Sequence, residues 1–255
     1  MSGATFAKKE FKEILKTYKI WVVPLIFVFF GFLSPITTKL LPQILKGQME
    51  AQNINIQLPE PSALESYSQY FKNLSQTGAL AAILLSMGLV SEEKSKGTLH
   101  LILTKPVSRT MVVLSKYLAQ SVLIVGSSIA GAVICYLYTW VLFGEGSLNS
   151  FSQSVVLYSV YYLLLIAITL FFSTLFSNQI AAGGAALISL FAITVLPGLS
   201  GFLADYSPYA LTIIADEVIK GEERIGAGGW PLLISVALII AFLVSSCVVF
   251  ERQEL

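Results

Sequence analysis

The sequence predicts an all-α membrane protein with six transmembrane helices, and three observations carry that prediction. Hydrophobic residues make up 55% of the 255-residue chain and charged residues only 12%, against roughly 45–50% and about 25% in an ordinary soluble domain. The apolar residues gather in blocks of about 17 to 25, the length a helix rising 1.5 Å per residue needs to cross a hydrocarbon core of about 30 Å. No block alternates with the period of two that a transmembrane strand of about ten residues requires. One such block could be the core helix of a soluble protein; six cannot.

Residues 1–19 come first. Phe6, Phe11, Ile14, Leu15 and Tyr18 recur at helical spacing, while Lys8, Lys9, Lys12, Lys16 and Lys19 fall largely elsewhere. That pattern describes a helix lying in the membrane interface with its lysines toward anionic headgroups; a generic basic flank is the plainer alternative. Glu10 and Glu13 interrupt the basic region, which reads against a secretory signal peptide.

The first span is expected at 20–38. Residues 39–73, rich in Gln, Asn and Pro, read as an outer connection. Within it Asn73-Leu74-Ser75 matches a glycosylation sequon, a short motif common by chance. The second span, 74–90, is the weakest, barely long enough and carrying Ser, Thr and Gly. The third, 111–143, is too long for one crossing, so its first turns are expected in the cytoplasm, with Lys116 wet or snorkelling to the headgroups. The fourth and fifth are expected at 155–176 and 180–203 and the sixth at 230–250.

Small residues mark two faces, Gly126, Ser127, Ala130 and Gly131 in the third span and Ala181 to Ala185 in the fifth. Small side chains let helices approach where hydrophobic burial gives no drive. They serve packing within the chain or a subunit interface. Tyr136, Tyr138, Trp140, Tyr158, Tyr161 and Tyr162 read as an interfacial aromatic belt, or else as the lining of a path for an amphipathic substrate. Cys135 and Cys247 lie inside spans and are expected to pack as small apolar groups.

Leu196-Pro197-Gly198 removes a backbone donor and adds a flexible residue, predicting a kink or break near the outer leaflet. Such a break is tolerated only where protein or water satisfies the freed groups, which makes Pro197 and Gly198 candidates for an outer gate. The outer connection 204–229 contains a short amphipathic helix, Ala210 to Lys220, closed by Gly221.

Net charge is only +1, but its placement is informative. Five lysines precede the first span, and Lys94, Lys96, Lys105, Arg109 and Lys116 surround the second-to-third connection. The positive-inside rule then puts both termini in the cytoplasm, as an even number of spans requires.

The most informative segment is the charged island 91–110. Glu92, Glu93, Lys94 and Lys96 hold the chain in water after Val90, and Leu99, Ile102 and Leu103 give an i, i+3, i+4 stripe. Gly97 interrupts the helix and Pro106 ends it. The result is a short two-faced element able to transmit force to a soluble partner.

In order, spacing and sidedness, Glu92-Glu93, Gly97-Thr98-Leu99 and Pro106-Val107-Ser108-Arg109 resemble the cytoplasmic signature of the ABC-2 family of transporter permeases. The terminal Phe250-Glu251-Arg252-Gln253-Glu254 resembles the family's charged ending more weakly. The resemblance implies an N-terminal elbow helix, a coupling helix seated in a cleft of an ABC ATPase subunit, and a second permease chain forming a homodimer or heterodimer. Carried over, Glu92 and Glu93 would be exposed polar contacts to that ATPase, with Lys94 beside them. Gly97, Thr98 and Leu99 would set the helix angle, and Pro106 its stop.

No G-x-x-x-x-G-K-[ST] occurs, so ATP and magnesium are expected on the partner chain, with no cofactor on this one. His100, the only histidine, has no ligand at metal spacing. Nothing points to nucleic acid; membrane lipid is the expected surrounding. The leading expectation is a non-catalytic exporter subunit of the inner (plasma) membrane. One alternative is a scaffold or mechanotransmitter driven by an ABC ATPase without substrate transit. Another is an ion-coupled carrier or channel without an ATPase, disfavoured because no acidic residue sits in mid-span.

Overall fold

The computed structural model describes residues 3–51, 60–98, 108–144, 146–199, 201–221 and 229–253, all helix, turn or coil and without a strand among them. Six helical segments are long and apolar enough to cross a membrane: Lys19–Gly47, Ala63–Ser95, Arg109–Phe143, Leu148–Leu175, Gln179–Leu199 and Gly229–Arg252. These are spans 1 to 6 below, with the name span 2 kept for the part from Ala63 to Ser86, before the turns at 87–90. A preceding helix, Gly3–Lys16, turns at Thr17 into span 1. The first, second, third and last long helices begin or end so that the residues around Glu10, Lys94, Arg109 and Phe250 gather at one end of the bundle, called here the proximal end.

Two expected boundaries are corrected. The helix of span 1 runs from Lys19 to Ala51, well into the first expected connection, despite Pro24, Pro35 and Pro42 inside it. Span 2 is not marginal: it starts at Ala63, capped by Ser62, whose hydroxyl accepts from the Glu65 N–H at 3.2 Å. Its polar residues disguised it, because they bond to neighbouring helices instead of to water. Ser66 and Thr139 hydroxyls lie 2.8 Å apart, Tyr70 donates to the Ser128 carbonyl at 3.2 Å, and Asn73 donates to Ser34 at 3.1 Å. The sequon asparagine is thus inside a span.

A π-helical turn, Leu74–Gly78, interrupts span 2. Tyr162 of span 4 donates its hydroxyl to the Leu74 carbonyl at 2.9 Å, a second bond on an acceptor that also takes the Ala79 N–H across the widened turn. Tyr158, Tyr161 and Tyr162 are buried, and Tyr158 stacks on Phe71 with centroids 4.7 Å apart. The belt expectation fails for these three, whose rings build the bundle core; Trp140, 56% exposed, stays on the outside of the bundle.

Spans 1 and 3 cross at glycines. A Cβ on Gly131 would meet the Phe27 carbonyl oxygen at 2.5 Å, and one on Gly31 would meet the Gly131 carbonyl oxygen at 2.5 Å. Of the small-residue face in span 3, Ser127 and Gly131 turn inward while Gly126 and Ala130 are exposed. In span 5, Gly183 packs on Met87, at the knee where span 2 ends.

At the distal end, span 5 stops at Val195 and tightens into a 3-10 turn, Leu196–Leu199, at the proline-glycine pair. The amphipathic helix Ala210–Lys220 ends at Gly221 with φ 74°, and buries Leu211, Ala215 and Ile219. It is held to span 4 by the Ser154 hydroxyl, which donates to the Ala215 carbonyl at 2.7 Å.

Candidate functional site

The proximal end is built by a change of direction after span 2. Turns at 87–90 lead into a short helix, Ser91–Ser95, and then to Gly97, whose φ of 68° is left-handed and suits a residue without a Cβ. Glu92 and Glu93 stand in the first turn of that helix, where carboxylates complement the unpaired N–H groups. Leu99, Pro106 and His100 lie outside the described residues.

The short helix is anchored on span 4. The Ser173 hydroxyl accepts from the backbone N–H of both Val90 and Ser91 at 3.0 Å, satisfying donors at the helix start. Lys94 donates to the Thr174 carbonyl, one of the acceptors left open where span 4 ends.

It is anchored on span 3 by an ion triad. Lys116 Nζ lies 2.7 Å from Glu93 Oε1 and 3.3 Å from Glu10 Oε2, and the three side chains are 4%, 16% and 7% exposed. Two sequence expectations are corrected here. Lys116 is neither wet nor snorkelling, and Glu93 is not an exposed contact. A lysine and two glutamates at sequence separations of 23 and 106 residues meet because the N-terminal helix folds back onto span 3. Pairing is what permits their burial, since an isolated charge in a low dielectric is costly.

Glu92, by contrast, points outward and pairs with Lys96 at 2.6 Å across one helical turn. The Lys96 ammonium is held above the usual lysine range by its hydrogen bond to Glu92. Ser95, Lys96, Gly97 and Thr98 form the exposed tip of the element. Thr98 bonds back to the Glu93 carbonyl at 3.3 Å, bracing the turn.

Other cations at this end also close helix termini. Lys19 donates to the Leu85 carbonyl at 3.0 Å. One guanidinium nitrogen of Arg109 faces the carbonyls of Phe250, Glu251 and Gln253 at 3.1, 3.1 and 2.6 Å, and Gln253 donates to the Thr174 carbonyl at 2.9 Å. Sequence reasoning read these residues by charge and motif, not as helix caps. Their roles as caps depend on which helix ends are neighbours.

Two cavities stand out. A proximal one of about 490 Å³ lies between the N-terminal helix, the Ser91–Ser95 helix and span 3. A distal one of about 920 Å³ lies between spans 1 and 2 and the Ala210–Lys220 helix, with Thr37, Gln69, Tyr158 and Tyr209 among its walls. Pro197 and Gly198 line neither cavity. Among the described residues no group of His, Cys, Asp and Glu could hold a metal ion.

Comparison with known proteins adds to this geometry. The model of the family described as "ABC-2 family transporter protein" matches residues 4–255. The chain is also 27% identical over 248 residues to the uncharacterized transmembrane protein YxlG of Bacillus subtilis (strain 168), covering 97% of this chain and 96% of that one.

Proposed function

Because this chain belongs to the ABC-2 family of transporter proteins, we propose that it is the permease subunit of an ATP-binding-cassette exporter, driven by a separate ATPase subunit. That subunit holds the ATP and magnesium. A second permease chain, identical or homologous, completes the assembly in the inner membrane, with the proximal end and both termini in the cytoplasm.

The observation that carries this reading is the backing of the exposed Ser95–Thr98 tip. Behind it, Glu93 is tied to Lys116 of span 3, Lys94 and Ser91 are tied to span 4, and Glu10 brings in the N-terminal helix. A push on the tip therefore moves two spans and the N-terminal helix together. Coupling by rigid-body displacement needs such an element, because packed interfaces switch between discrete arrangements and do not bend continuously. In this scheme Glu92, Lys96, Gly97 and Thr98 meet the ATPase, while Glu93 and Lys94 hold the lever. Leu99 and Pro106 retain the roles of angle and stop that the family resemblance implies. Pro197 and Gly198 remain the proposed outer gate. The distal cavity favours substrate passage over a purely mechanical role, since it offers space between spans 1 and 2 that a docking platform does not need.

The test is a mild-detergent isolation of the tagged chain from its native membranes, with partners identified by mass spectrometry and ATP hydrolysis assayed. A stoichiometric P-loop protein is expected, with association weakened by Glu92→Ala together with Lys96→Ala while the fold is retained. Intact chain without such a partner, also after cross-linking in membranes, overturns the proposal in favour of a stand-alone carrier or channel.

A further inference from the structure

The polar groups around the distal cavity have a fixed hydrogen-bonding sense. A carbonyl can only accept, so a hydroxyl bonded to one has spent its proton there and offers lone pairs alone to anything else. Ser75 donates to the Lys72 carbonyl, Thr37 to the Leu33 carbonyl and Thr38 to the Ser34 carbonyl, each at 2.9 Å. Ser34 likewise donates to the Phe30 carbonyl at 2.8 Å, so it is the Asn73 amide nitrogen that meets the Ser34 oxygen at 3.1 Å. Asn73 Oδ1 then turns to Gln69 and accepts from its Nε2 at 3.4 Å. The relay ends on Gln69 Oε1, an acceptor with no protein partner that, unlike the neighbouring Ser68 Oγ, is not enclosed.

Gln69, Lys72 and Ser75 stand within about two turns of span 2 and line the cavity together. Lys72 is exposed and, among the described residues, has no ion-pair partner, whereas Asp216 and Lys220 on the amphipathic helix pair with each other. An acceptor, a cation and an acceptor therefore follow one another along this wall. An ammonium that reached Gln69 and Ser75 would sit against Lys72, and a carboxylate that reached Lys72 would face lone pairs on either side. A hydroxyl meets neither objection, because it donates to the oxygens and accepts from the ammonium. Span 1 adds Thr37 and Thr38 as further acceptors, so several hydroxyls are called for. The charges of the lining, Glu65 and Asp216 against Lys72 and Lys220, cancel. Leu41, Leu64 and Ile213 supply exposed apolar surface in the same cavity.

We propose that the distal cavity binds a neutral polyhydroxylated amphiphile, a sugar or other polyol joined to an apolar chain. Its hydroxyls donate to Gln69 and Ser75 of span 2 and to Thr37 and Thr38 of span 1 and accept from Lys72, while its apolar part lies over Leu41, Leu64 and Ile213. The volume of about 920 Å³ lies within the range of about 300–1,000 Å³ usual for small-molecule sites. That this ligand is also the transported cargo rests on the exporter reading above; its binding to the cavity does not.

The experiment titrates the full chain in phosphatidylcholine nanodiscs with probes that share an octyl or octanoyl chain, each below its micellar concentration and with empty discs as the blank. The probes are octyl glucoside, pentaethylene glycol monooctyl ether, octylammonium and octanoate, and binding is read by calorimetry. The ether is neutral and rich in acceptors but has a single hydroxyl, so it isolates the need for donors. Octyl glucoside is expected to bind about tenfold more tightly than each of the others, the worth of a charge-assisted hydrogen bond. Lys72→Met should lower that affinity and raise that of octylammonium, because the resident cation is gone. Thr38→Val, which keeps the shape and loses the oxygen, should lower glucoside binding without helping the ammonium. Equal affinity for glucoside and ether, tighter binding of either ion, no binding at all, or an affinity unchanged in both folded variants overturns the proposal. Selective glucoside binding by a chain that brings down no ATPase would sink the exporter reading and leave this site standing.

Discussion

Lys116 of span 3 sits 2.7 Å from Glu93 of the short helix that follows span 2, the lysine buried and the glutamate largely so. With Glu10 as the second partner, this ammonium joins three elements that the sequence separates widely. Breaking a buried pair from one side leaves an uncompensated charge, which costs about 3–5 kcal/mol. Lys116→Met, which strands Glu93 and leaves Glu10 only its pair with Lys9, is expected to lower stability more than Glu93→Gln, which leaves Lys116 its bond to Glu10. Thermal unfolding of the two detergent-purified variants checks the order; equal stability would remove the triad from the account.

Gly131 marks the closest approach of spans 1 and 3. Gly131→Ala places a methyl 2.5 Å from the Phe27 carbonyl oxygen, backbone that cannot step aside, and should destabilise by about 1–3 kcal/mol. Gly126, one face away in the same helix, has open space where its Cβ would be. Its alanine variant is expected to unfold within a few degrees of wild type, giving an internal control in the same assay.

Tyr162 tests the π turn. Tyr162→Phe removes the donor to the Leu74 carbonyl and keeps the ring packed against Phe27, 5.6 Å away. The loss should be about 0.5–1.5 kcal/mol for the bond, since the carbonyl keeps the Ala79 N–H. Hydrogen–deuterium exchange should rise locally at 74–78 before it rises elsewhere in span 2. Uniform exchange along the span would show that the turn does not need the tyrosine.

Arg109 caps the last span from the start of the third. Arg109→Ala frees the carbonyls of Phe250, Glu251 and Gln253, so the final turn of span 6 should fray while the rest of the helix stays protected. Arg109→Lys should recover part of the effect, because one ammonium replaces the charge without the planar fork. Exchange at residues 248–253, compared among the three proteins, reads the result.

Much of the architecture was legible in the chain. The lengths of the apolar runs yield six spans, and the boundaries of spans 3, 5 and 6 agree with the helices to within a few residues at the end where each is well marked. The proline-glycine pair locates the end of span 5, and Gly97 locates the turn after Lys96. Span 2 was underestimated at 74–90 because hydropathy counts Ser66, Asn73 and the tyrosines as polar. Their partners on spans 1 and 3 become visible only when those helices are adjacent.

The candidate site divides in the same way. Glu92 and Glu93 are neighbours of one chemical type, and nothing local distinguishes them. The helical rotation between successive residues sends one to solvent with Lys96 and the other inward to Lys116.

The sequence by itself determined that this chain has six segments long and apolar enough to cross a membrane, that most of its basic residues collect at one end, and that it carries the ABC-2 signature. Those properties follow from transfer free energies and short-range order, which are sums over local residues. Only the tertiary structure decided which charges are buried, which tyrosines form the core and where cavities remain. These depend on residues far apart in the chain meeting at bonding distance, and the energy of such a meeting is set by the low dielectric and dense packing that folding itself creates.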